Sequence, residues 1–129
     1  VAGNTLLACL PMTAGAGSSI SAAGDSVNGA GTWTTVPNSD QSSAGGARLG
    51  CAYKANTAAG TPTVTVTTAG NATTRGMQIY EIQNVPVTGP LVTSAGSALA
   101  SASTYACNGS VSFTAANQTA LAIFVQTNS

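Results

Sequence analysis

From Thr61 to Thr68 the chain reads Thr-Pro-Thr-Val-Thr-Val-Thr-Thr, which puts Val64 and Val66 on one side of an extended backbone and Thr63, Thr65 and Thr67 on the other. Alternation of β-branched residues with a period of two suits a half-buried strand and cannot line one face of a helix. Residues 48–55 alternate in the same way, with Leu49, Cys51, Tyr53 and Ala55 facing one side and Arg48, Gly50, Ala52 and Lys54 the other. Further strands are expected at 4–10, 19–22, 32–36, 76–83, 91–94, 110–114 and 120–126. Turn chemistry separates them, at Gly24-Asp25, Asn28-Gly29, Pro37-Asn38, Ala59-Gly60, Gly70-Asn71, Gly89-Pro90 and Asn108-Gly109. Nine short strands without a helical period predict an all-β chain, an antiparallel β-sandwich or jelly roll formed as one domain over residues 1–129. Residues 39–46, rich in Ser and Gly, read as a mobile loop.

Charge narrows the chemistry. Asp25, Asp40, Glu81, Arg48, Lys54 and Arg75 are the formally charged side chains, the net charge is zero, and there is no histidine. Nucleic-acid binding needs a basic footprint, and none is present. Histidine-activated nucleophiles are excluded outright, and the many serines lie in no G-x-S-x-G elbow. A zinc site would need Cys9, Cys51 and Cys107 plus a carboxylate drawn from distant segments, without any C-x-x-C spacing. No stretch approaches the roughly 18 apolar residues of a membrane helix. The segment Leu6-Leu7-Ala8-Cys9 has the look of a lipoprotein cleavage box, but no basic segment precedes it and a strand is the better reading. Because the chain opens on Val1 and not Met, it reads as a processed product or part of something longer.

The order of motifs is familiar. Asn4-Thr5-Leu6-Leu7 opens, and an Asp25-containing turn leads to Gly31-Thr32-Trp33. Cys51-Ala52-Tyr53-Lys54-Ala55, Gly60 to Thr67 and Ile79-Tyr80-Glu81-Ile82 follow. This resembles a loosely defined group of β-sandwich, jelly-roll-like modules in bacterial extracellular and phage-associated surface proteins, over about residues 4–85. The resemblance implies an adhesive or scaffold role and transfers no catalytic residue. Similar modules continue beyond the 120–126 strand, which implies a sandwich short of one strand.

Several residues carry candidate roles. Two of Cys9, Cys51 and Cys107 can pair in an oxidising compartment, and Cys51 with Cys107 is the first pairing to test because their flanks are alike; three buried thiols are the alternative. Asn71, Asn108 and Asn117 head N-glycosylation sequons. Glu81, set in an apolar strand, is either a structural partner for Arg48, Lys54 or Arg75 or one carboxylate of a hydrolytic pair with Asp25 or Asp40. Asp25 is expected to tie its own turn, with a calcium site at Asp25 and Asn28 as the other reading. Trp33 is either a core anchor or a glycan-stacking platform.

The expected function is that of a non-enzymatic structural subunit of an extracellular assembly, a pilus-like filament or a virion surface, with neither cofactor nor metal. Its expected partners are copies of itself, joined through strand edges; nucleic acid and membrane insertion are not expected. Within residues 1–10, the segment Asn4, Thr5, Leu6, Leu7, Ala8, Cys9 and Leu10 is the first candidate for a donor strand. The alternative is a carbohydrate-binding or adhesive surface module.

Overall fold

The computed structural model describes residues 2–14, 19–42, 46–74, 76–91, 94–96, 112, 114, 116 and 118–124. Among them the chain is all-β and antiparallel, and no helix is long and apolar enough to cross a membrane. The strands are β1 (Thr5–Ala14), β2 (Ile20–Asp25), β3 (Thr34–Thr35), β4 (Gln41–Ser42), β5 (Ala47–Lys54), β6 (Val64–Thr68), β7 (Ala72–Thr74) and β8 (Gln78–Ile82).

β1 is the middle of the larger sheet. On one side Leu6–Thr13 pair with Lys54–Ala47 of β5; on the other, Thr5–Cys9 pair with β8 and Met12–Ala14 with β7. The segment expected to serve a neighbour as a donor strand is therefore enclosed on both sides by its own chain. β3 and β4 lie in line along the outer edge of β5. β2 and β6 form a separate two-stranded sheet.

The two sheets share one core. Alternation along β1 sends Leu6, Ala8, Leu10 and Met12 to one face, and Ala52 joins Leu6 and Ala8 against Ala23 and Trp33, with Ile20, Val64 and Val66 packed around them. The inward face of β5 is thus the Gly50 and Ala52 face, which by residue type reads as the polar one. Small side chains let the sheets approach: the Ile20 side chain would lie 3.1 Å from a Cβ at Gly50. Gly24 is tighter still. A Cβ there would sit 2.5 Å from the Gly31 nitrogen and 2.7 Å from the Gly29 oxygen, both backbone atoms that cannot step aside. Gly24 and Asp25 accordingly close β2, and the turn follows them at Ser26–Gly29.

Several expectations are corrected. Eight strands stand among the described residues where nine were expected, and β4 and β7 are additions. The described parts of 91–94, 110–114 and 120–126 are not strand. Of the loop expected over 39–46, residues 39–42 are tied to the sheet: Ser39 Oγ accepts from Cys51 N at 3.0 Å, β4 pairs with β5, and Asp40 binds Arg48 through Nε and, at 2.7 Å, through Nη2, while residues 43–45 lie outside the described residues. Val64 and Val66 do face inward, with Thr65 and Thr67 exposed.

Candidate functional site

The densest polar cluster sits where β2 ends. Asp25 Oδ1 accepts from Val27 N at 2.8 Å and Asn28 N at 2.7 Å, and Oδ2 accepts from the Trp33 indole Nε1 at 2.7 Å. The Asn28 amide nitrogen reaches both oxygens, at 3.1 and 3.0 Å, while its Oδ1 accepts from Ala58 N at 2.9 Å. Burial pushes the Asp25 carboxyl pKa up, but the donors from Asn28, Trp33 and Val27 outweigh it, and the group is held below its ordinary value.

Every group facing that carboxylate is a donor. A calcium ion needs several oxygens, and Asn28 offers nitrogen here because its oxygen is committed to Ala58. The cluster is therefore a structural brace joining the β2 turn, the Trp33 segment and the 57–58 loop. Trp33 belongs to the core: it is 7% exposed, its N–H is taken, and its ring faces are unavailable for stacking on a sugar. This removes the glycan-platform reading of Trp33.

The carboxylates do not converge. Asp25 is in the brace, Asp40 is bound to Arg48 on the β5 side of the sheet, and Glu81 lies on β8, across β1, accepting from Asn4 Nδ2 at 2.6 Å. Two carboxylates flanking one bond, as glycoside hydrolysis requires, are not brought together. Among the described residues no three His, Cys, Asp or Glu side chains gather to hold a metal.

Cys9 and Cys51 form a disulfide, which corrects the pairing of Cys51 with Cys107. They are directly opposite each other on β1 and β5, with Cα atoms 4.1 Å apart. The cause is local. Cys51 uses its N–H on Ser39 Oγ and its C=O on Val36 N at 2.9 Å, away from β1, so the pair occupies a narrow, non-hydrogen-bonded position where antiparallel backbones come closest. Asn71 is exposed in the turn between β6 and β7; Cys107, Asn108, Asn117 and Arg75 lie outside the described residues.

One surface feature remains. β6 pairs only with β2, so its outer edge is open among the described residues. A groove of about 440 Å³ runs beside it, lined by Leu10, Val64, Thr65, Val66, Thr68, Gly76 and Met77. The register Ala8↔Ile79 puts Ile79 on the core-facing side of β8, yet it is 47% exposed because the two-stranded sheet does not extend over it. The apolar character of Met77 and Ile79 is plain in the sequence, but which strand lacks a cover is decided by the width of the opposite sheet.

Compared with protein-family models, with curated proteins and with solved structures, the chain finds no match.

Proposed function

We propose that this chain is a non-enzymatic structural subunit of an extracellular assembly, a filament or a virion surface, whose copies join by strand addition. The observation that carries this is the edge of β6, open among the described residues, beside an exposed apolar floor at Met77 and Ile79. An unpaired row of backbone N–H and C=O groups next to buried-type side chains is a template for another strand. On this reading the molecule is a β-sandwich of unequal layers, completed by association. Two features support it. The near absence of charge removes the repulsion that keeps soluble monomers apart. The cross-strand disulfide suits an oxidising, extracellular compartment. A resemblance to bacterial and phage surface modules points the same way. The glycan-binding alternative loses its leading residue with Trp33 in the core.

Sedimentation velocity across a wide concentration range, with negative-stain imaging of the same samples, tests the proposal. Oligomers or filaments that grow with concentration are expected. A species that stays a single copy at the highest concentration overturns it.

A further inference from the structure

The open edge has a complement in the same sequence. Gln118 folds back on Thr114, accepting from its backbone N at 2.8 Å, and the chain then runs through Thr119-Ala120-Leu121-Ala122-Ile123-Phe124. This stretch carries no charge, and its residues take no strand pairing in the structure. Leu121 is 52% and Phe124 66% exposed. In a strand conformation Leu121 and Ile123 would share one face, with the spacing that Val64 and Val66 have on β6. Among the described residues, a β-patterned apolar segment without a sheet and a sheet edge without a strand thus occur in one chain.

We infer that residues 120–124 of one copy add to the β6 edge of a second copy, placing Leu121 and Ile123 over Leu10, Met77 and Ile79. This rests on the assembly reading above and names its donor. A second copy is the occupant because the single chain leaves Leu121 and Phe124 in solvent and the groove open. Among the described residues neither surface bears a charge, so the apolar match sets affinity and main-chain hydrogen bonds set register. Donor and acceptor are different surfaces. Repeated head-to-tail addition therefore gives a filament, and reciprocal exchange gives a closed pair.

The test uses two full-length variants, Leu121→Asp with Ile123→Asp to disable the donor, and Val66→Lys to disable the acceptor. Each alone is expected to sediment as a monomer with a wild-type circular dichroism spectrum, and an equimolar mixture is expected to form one-to-one heterodimers. Association of the donor variant like that of wild type overturns this inference while leaving assembly through another edge standing. A mixture of two folded variants that stays monomeric, although wild type associates, also overturns it. Wild type that never associates overturns both readings. If Val66→Lys does not fold, a labelled peptide of residues 118–126 is titrated into the donor variant instead: saturable binding supports the inference, and absence of binding overturns it.

Discussion

Asp25 collects donors from Val27, Asn28 and Trp33 while almost wholly excluded from solvent, and this makes the fold's stability sensitive to acid. Its pKa is lower folded than unfolded, so its contribution is fully present above the unfolded value of about 3.9 and is lost as pH falls through the lower, folded value. Urea midpoints followed from neutral to strongly acidic pH should fall across that window. Asp25→Asn should be less stable than wild type at neutral pH and should show a shallower acid decline; an equal decline in both would show that other carboxylates control it. The brace was partly legible in sequence. An Asp in a turn ahead of a Trp suggests an Asx turn, since the acceptor and the nearby N–H groups are local. The bond from Ala58 to Asn28 was not, because it joins loops thirty residues apart that only the fold brings together.

At the scale of elements, two glycines separate what backbone and side chain tolerate. At Gly24 an added methyl meets backbone of residues 29–31, whereas at Gly50 it meets the end of the Ile20 side chain, which can turn. Gly24→Ala should therefore cost about 1–3 kcal/mol or more, as overpacking does. Gly50→Ala should cost clearly less, and thermal melts of the two variants compare them directly. The Cys9–Cys51 bridge closes a loop of sequence separation 42, for which chain entropy gives a contribution of about 4 kcal/mol. Urea titration with and without a reductant should reveal most of that loss, and an unchanged midpoint would show that strand pairing alone already fixes this loop. β5 and β6 were legible as strands because their residues alternate with a period of two. β4 and β7 were not: Gln41-Ser42 and Ala72-Thr73-Thr74 are short and polar, and pair only because β5 and β1 present edges to them.

For the whole molecule, the scarcity of ionisable groups sets how copies meet. If association runs through β6 and residues 120–124, which carry no charge, screening has nothing to weaken. The sedimentation-derived association constant should change little from low to moderate salt. A steep fall with salt would instead assign the contact to Asp40, Arg48 or Lys54.

Composition and periodicity determined an all-β, antiparallel chain without the reagents of histidine-based catalysis, because those properties depend on residue type and on neighbours close in sequence. Tertiary structure decided the rest. Alanine carries little hydrophobic signal, so nothing local marks Ala8, Ala23 and Ala52 as the centre of the core. Cys9 finds Cys51 through the register of β1 against β5, and Trp33 is placed inside by the brace at Asp25. The segment at residues 4–10 looked like a free terminal strand, yet lies in mid-sheet; the exposed edge passed to β6, since which strand is left unpaired depends on how many others the fold sets beside it.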